Sequence, residues 1–242
     1  MTRSVIILPS RNRYKRIENT MQGLMENSTV SDLVIALDED DHHKYTKYSG
    51  KGIIYDIGPA PKLIGVNEKL NRIANQVKND YDYIIWAADD TVPMTYAWDE
   101  KLVNAIKDVP MGISYPNDTI QKERFPSNGT CFDTKIVRTL GYLAPPKLIH
   151  LYIDNFWRIL GDELGTLRYC GDVVLEHFHY IVDQSLKDDL YSATNSPQRY
   201  NYERHTFFTY VNNVFKIDVS KLREAMLETN MEIPPSRGIE GS

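Results

Sequence analysis

With 242 residues, 42% of them hydrophobic and 25% charged, the chain carries enough apolar material for one substantial core. Its formal net charge of -5 supplies no global positive field, so tight non-specific binding to nucleic acid or to an anionic membrane is not expected. Cys131 and Cys170 are too few for a disulfide framework and match no zinc-ligand spacing, so both are read as thiols. No stretch approaches the roughly 20 apolar residues of a membrane span. The opening apolar run, Val5 to Leu8, is too short for a signal peptide, and the expected location is cytoplasmic.

In chain order, short apolar runs alternate with amphipathic stretches, the pattern of strand and crossover helix in an α/β sheet. Val5 to Leu8 reads as a buried strand stopped by Pro9. From Arg16 to Glu26, Ile17, Met21, Leu24 and Met25 recur at helical spacing. Strands are expected at Leu33 to Leu37 and Ile53 to Ile57, the latter ending in Gly58-Pro59-Ala60-Pro61. A helix from Val66 to Val77 leads to the run Tyr83 to Ala88, the clearest central strand.

Beyond that point the pattern predicts a helix from Trp98 to Ile106, a strand from Gly112 to Tyr115, and a turn at Ser127-Asn128-Gly129. Further helices are expected at Thr134 to Leu140 and Asp154 to Leu160, and a strand at Val173 to Phe178, before a polar, tyrosine-rich stretch. The expected division is an α/β domain over 1-190, a helical or irregular C-terminal extension packed on it over 191-237, and a tail at 238-242.

Five clusters carry candidate chemistry. Asp89 and Asp90 end the Tyr83 to Ala88 strand, at the sheet edge where α/β proteins bind ligands. A carboxylate pair there can hold a hard divalent ion against a diphosphate, or can cap the next turn. Pro9-Ser10-Arg11-Asn12-Arg13 follows the first strand, where free amides and two guanidinium groups suit a nucleotide and its phosphates. A solvated loop reads equally well. Asp38 opens the acidic run Asp38 to Asp41 at the end of the second strand, as a hydrogen-bond acceptor for a base or ribose.

The fourth cluster, His150 to Asn155, places Asp154 near a helix start. There it can act as a general base or as a plain N-cap. In the fifth, Glu176-His177-Phe178-His179, alternate histidines on a strand share one face and can complete a manganese-type coordination shell, or be structural.

In this order and spacing the five clusters resemble the family 2-like glycosyltransferases of GT-A fold, in particular small stand-alone forms from bacteria and their viruses. The resemblance spans about residues 4 to 190. It implies a mixed, mostly parallel Rossmann-like sheet flanked by helices, and transfer of a sugar from a nucleotide sugar to an acceptor hydroxyl. Pro9, Ser10, Arg11 and Arg13 are then the first nucleotide-binding loop, and Asp38 the base or ribose contact. Lys69 and Asn71 face the donor from the preceding helix.

By the same resemblance, Ala88-Asp89-Asp90 stands at the Asp-x-Asp motif with Ala88 replacing the first acid. Asp89 is the implied ribose or sugar contact, Asp90 and His177, with His179 as the alternative, the implied ligands of Mn2+ or Mg2+, and Asp154 the implied base of an inverting reaction, a retaining one being the open variant. A uridine nucleotide is the implied donor. The acceptor stays open among a glycan, a lipid-linked sugar, modified DNA and a small molecule. A nucleotidyltransferase is the rival enzyme, although its glycine-rich loop is absent. A non-catalytic nucleotide-sugar-binding module is the rival of another class, because Ala88 breaks the motif.

Overall fold

The computed structural model describes residues 2–45, 53–63 and 65–228. Its strands are β1 (Ser4–Pro9), β2 (Ser31–Asp38), β3 (Ile53–Gly58), β4 (Tyr83–Trp86), β5 (Thr91–Pro93), β6 (Ile113–Asn117), β7 (Cys131–Asp133) and β8 (Leu167–His177). Its helices are α1 (Ile17–Asn27), α2 (Asn67–Val77), α3 (Trp98–Ile106), α4 (Lys135–Leu140), α5 (Ile153–Leu164), α6 (Asp189–Thr194), α7 (Pro197–Asn213) and α8 (Phe215–Glu228).

The strands form one sheet in the order β3-β2-β1-β4-β7-β6-β8-β5. Strands β3, β2, β1 and β4 run parallel, β7 is antiparallel to both neighbours, and β8 is parallel to β6. The chain starts at β1, moves outward to β3 and returns to β4 on the other side of β1. The order therefore reverses between β1 and β4, and their carboxyl ends diverge there to leave a crevice.

Side chains alternate across this sheet with the period of two that extended backbone imposes. From β1, Val5 and Ile7 join an apolar cluster with Leu70, Ile73, Trp86 and Trp157, whereas Ile6 and Leu8 join Ile17, Met21, Trp98 and Leu102 on the opposite face. Both faces are covered, which explains the unbroken apolar runs of the central strands. On the second face, Asp99 at the start of α3 is completely buried and accepts the backbone N–H groups of Thr29, Val30 and Ser31 at 3.0 to 3.2 Å. It ties the α1–β2 turn to the body.

Two strand expectations are corrected, and the C-terminal extension is resolved as helical. The central strand stops at Trp86 rather than Ala88: the Ala87 N–H still reaches Ile7 O at 3.0 Å, and a turn at Asp89-Asp90 then forms the rim of the crevice. The strand expected at Val173 to Phe178 is the second half of the longer β8, whose first half, Leu167 to Cys170, pairs with β6. The tyrosine-rich stretch forms the long helices α7 and α8. Phe207, Tyr210, Phe215, Leu222 and Met226 from these helices enter the same apolar cluster as Trp86 and Trp157. The expected tail at 238-242 lies outside the described residues.

Candidate active site

A cavity of about 370 Å³ opens at the crevice between β1 and β4. Of the sequence-derived candidates, Pro9, Ser10, Arg11, Arg13, Lys69, Ala88, Asp89, Asp90, Asp154 and His177 all line it. Ser127 and Asn128 line it too, as does His179.

The loop after β1 folds back on the rim after β4. Arg13 donates through Nη1 to Asp89 Oδ1 at 2.7 Å and to Asp90 Oδ2 at 3.2 Å, and Ser10 Oγ donates to Asp89 Oδ2 at 2.6 Å. Burial works against the Arg13 charge, but Asp89 and Asp90 outweigh it and raise the guanidinium above its ordinary value. Burial also pushes the Asp89 carboxyl up, with Arg13 opposing. The Asp pair is thus a buried ion-pair centre and caps no helix.

Asp38 and Asn71 lie apart from the cavity wall. Asp38, 1% exposed, accepts from Arg11 at 2.7 Å and pairs with Lys69 Nζ at 2.8 Å, so it stands behind two cations that do face the cavity. Asn71 spends its amide on the α4–α5 connection: Nδ2 donates to Ala144 O at 2.8 Å, and Oδ1 accepts from Leu143 N at 2.8 Å and Ala144 N at 3.0 Å. Its role is to hold that loop.

Two groups of residues offer metal-ligand chemistry. Ligand atoms of Asp38, Asp40 and Asp41 lie within 4.8 Å of one another, but Arg11 pairs with both Asp38 and Asp40, and Lys69 with Asp38. Those two cations already offset most of the charge of the three carboxylates. At the cavity, Asp90 Oδ1 lies 3.5 Å from His177 Nε2, and the far ring nitrogen, Nδ1, lies 3.5 Å from Asp118 Oδ2. A carboxylate facing the second nitrogen of a ligating histidine fixes its tautomer and ring orientation. The donor set of Asp90 and His177, with Asp118 behind, fits a Mn2+-type or Mg2+-type ion that keeps open positions for phosphate oxygens.

Asp118 is a site residue that sequence reading missed. It is 1% exposed, and Oδ1 accepts the N–H groups of Ile120, Gln121 and Lys122 at 3.2, 2.6 and 2.9 Å, while Oδ2 accepts from Ser127 Oγ. Burial favours its protonation, yet His177, Ser127 and the Lys122 N–H together hold the carboxyl below its ordinary value. Nearby Gly129 has φ of 81°, and a Cβ there would come within 2.7 Å of Leu175 and Pro116. Only glycine lets this loop pass so close beneath the site. The histidines differ from expectation: β8 ends at His177, and His179 follows in a turn closed by its N–H to His177 O at 3.0 Å.

Asp154 sits in the first turn of α5 but does not cap it. The capping position falls on Tyr152, with φ of 64°, and carries no side-chain cap. A bulky residue in the left-handed region costs about 1 to 3 kcal/mol and persists only where its surroundings enforce it. Here the Tyr152 ring stacks on Phe207 at 5.3 Å and 21°. Asp154 Oδ1 accepts the neighbouring Asn155 N–H at 2.9 Å, and burial pushes its carboxyl up. His150, also on the cavity wall, has its Nδ1 buried without a hydrogen-bond partner, and burial drives the ring down to about 4, so it is neutral near pH 7.

The helix after β8 closes the far side. Asp188 pairs with Arg13 Nε at 3.0 Å and Arg16 Nη1 at 3.3 Å, the Arg13 guanidinium packs 4.3 Å from the Tyr191 ring centre, and the Tyr191 hydroxyl donates to Asp90 Oδ2. In the sequence, Tyr191 stands only as part of the polar, tyrosine-rich stretch.

No protein-family model and no curated protein matches the sequence. Solved structures do match by shape. Residues 1–349 of S. aureus TarS superpose with a TM-score of 0.57 at 12% identity, over 88% of this chain and 74% of that one. The mannosyltransferase PcManGT from Pyrobaculum calidifontis, in complex with GDP-Man and Mn2+, gives 0.54 at 10% identity over 94% and 74%. Glucosyl-3-phosphoglycerate synthase from Mycobacterium tuberculosis, in complex with Mn2+, UDP and phosphoglyceric acid, gives 0.54 at 16% identity over 76% and 73%. This chain has the GT-A fold.

Proposed function

We propose that the chain is a metal-dependent glycosyltransferase that moves a sugar from a nucleotide sugar to an acceptor hydroxyl with inversion at the anomeric carbon. The observation that carries this reading is the convergence, in one cavity at the β1/β4 switch point, of a cationic loop, an aspartate and histidine pair suited to a divalent ion, and a buried aspartate opposite them. A mannosyltransferase in complex with GDP-Man and Mn2+ and a glucosyl-3-phosphoglycerate synthase in complex with UDP and Mn2+ share the fold, which supports the same chemistry here.

In this reading Arg11, Arg13 and Lys69 bind the nucleotide end of the donor. Asp90 and His177 hold the ion, with Asp118 fixing the His177 ring. A bound Mn2+ or Mg2+ offsets the charge that develops on the diphosphate as it leaves. Asp154 takes the proton of the attacking hydroxyl; burial raises its affinity for protons above that of an exposed aspartate, which makes it the stronger base. Attack from the face opposite the leaving diphosphate gives inversion. A uridine nucleotide is the first donor to test, and the acceptor is a glycan, a lipid-linked sugar, modified DNA or a small molecule.

A thermal-shift screen of UDP, GDP and their sugars with and without Mn2+ tests the binding half, since a specific ligand raises the unfolding temperature by mass action. The reading expects a Mn2+-dependent shift that Asp90→Ala abolishes. No shift with any nucleotide would reject it. A shift without any turnover would assign a nucleotide-sugar-binding module instead.

A further inference from the structure

The C-terminal helix α7 reaches the loop before α5 through ring contacts on Tyr152 and through one carboxylate. Glu203 is completely buried, and its Oε2 accepts three consecutive backbone N–H groups, from Ile149 at 2.9 Å, His150 at 2.8 Å and Leu151 at 2.8 Å. A buried carboxylate is costly without partners, and three amide donors on one oxygen fix the peptide planes that supply them. The same loop is held from the other side by Asn67 at the start of α2. Its backbone N–H donates to Ile149 O at 3.1 Å, and its Nδ2 donates to Leu148 O and Pro145 O at 2.7 Å each. Gly65 lets these segments meet, since a Cβ there would fall 2.3 Å from Ile149 O.

What this clamp fixes is the wall of the cavity. His150, Leu151, Tyr152, Ile153 and Asp154 line it in succession. The strained Tyr152 lies between the clamped amides and Asp154, so a rotation at residues 149–151 passes directly into the first turn of α5. We propose that Glu203 is a positioning residue for the transfer reaction: it sets residues 149–151 so that the Asp154 carboxylate and the His150 ring face the donor sugar. This rests on the glycosyltransferase reading above. It also gives α7 a task at the reacting end of the site. Placement of a base within a fraction of an ångström decides rate more than binding.

Asp99 is an internal control, because it grips three N–H groups of residues 29–31 in the same way on the opposite face of the sheet, away from the cavity. The experiment compares wild type, Glu203→Ala, Glu203→Gln and Asp99→Ala in the full chain. Three quantities are read: UDP affinity with Mn2+, kcat and KM for hydrolysis of whichever sugar in a UDP-sugar and GDP-sugar panel wild type cleaves fastest, and amide hydrogen exchange at residues 149–151.

In Glu203→Ala, exchange at those amides is expected to quicken and kcat to fall by at least about tenfold, with UDP affinity within about twofold of wild type. Glu203→Gln keeps an acceptor oxygen and is expected to recover most of the loss. Asp99→Ala is expected to lower stability and leave kcat in place. Unchanged kcat in Glu203→Ala despite faster exchange would overturn the proposal. So would a parallel loss of UDP affinity and kcat that Asp99→Ala reproduces, since that is global destabilisation. Absence of turnover in wild type itself, with every sugar in the panel, would instead reject the transferase reading on which the proposal stands, and the proposal with it.

Discussion

Tyr191 and Asp90 are joined by a hydrogen bond from the phenol to the carboxylate, while the Tyr191 ring is held 4.3 Å beneath the Arg13 guanidinium. The oxygen that Tyr191 engages, Oδ2, belongs to the carboxylate whose other oxygen faces His177. An ion that binds Asp90 therefore competes with the phenol. Tyr191→Phe keeps the ring under Arg13 and removes the competing donor. If the lost bond contributes about 1 kcal/mol, Mn2+ binding in the presence of UDP should tighten roughly fivefold, as calorimetry would show. Weaker binding would mean that the hydroxyl assists the ion.

In the proposed site Asp118 acts on the ion through His177, whose Nδ1 lies 3.5 Å from its Oδ2. Partners of this kind contribute about 10-fold to 100-fold in metal affinity. Asp118→Asn should weaken Mn2+ binding by about that factor, and UDP binding without metal should change little. Equal losses in both would point to collapse of the 120–122 turn that Asp118 also holds.

Burial raises the Asp154 carboxyl above its ordinary value. A general base works only when ionised, so kcat should fall as pH drops through the raised value. The acid limb should therefore lie above the roughly 3.9 of a free aspartate. His150, held down near 4, stays neutral across the neutral range. A limb at or below the free-aspartate value, or one that persists in Asp154→Asn, would remove Asp154 from the proton transfer.

Asp99→Ala leaves three N–H groups of the α1–β2 turn without their buried acceptor. The expected cost is about 3 kcal/mol, or roughly 6 to 12 °C in Tm for a chain of this size. Denaturant and thermal melts would check it, and nucleotide affinity should be unaffected.

The parallel half of the fold was legible in the sequence because its strands are buried on both faces and read as unbroken apolar runs, Val5 to Leu8 and Leu33 to Leu37 above all. Helix α3 was readable to its ends, because Trp98, Leu102, Val103 and Ile106 recur at helical spacing. Strand β7 was missed because Cys131 to Asp133 is only three residues long. The C-terminal extension was read only as helical or irregular, and the bounds of α7 were not legible because its buried side mixes Phe207 and Tyr210 with the charge of Glu203, which breaks the apolar stripe.

The site divides along the same line. Residues next to strand ends, such as Arg13, Asp89 and His177, could be found because strand ends mark the crevice. Asp118 also follows a strand, β6, and that position was the available signal. Glu203 gave none, since a carboxylate that serves three amides more than 50 residues away leaves no local pattern. Asn71 shows the opposite case, a residue marked by resemblance whose amide holds a loop.

The most direct test of the central claim is release of free nucleotide from a panel of UDP-sugars and GDP-sugars, followed with Mn2+, with chelator, and in Asp154→Asn. The account predicts Mn2+-dependent release that chelator stops and that Asp154→Asn slows by at least about 100-fold while still binding UDP. Release that is indifferent to metal and undiminished in Asp154→Asn would contradict it.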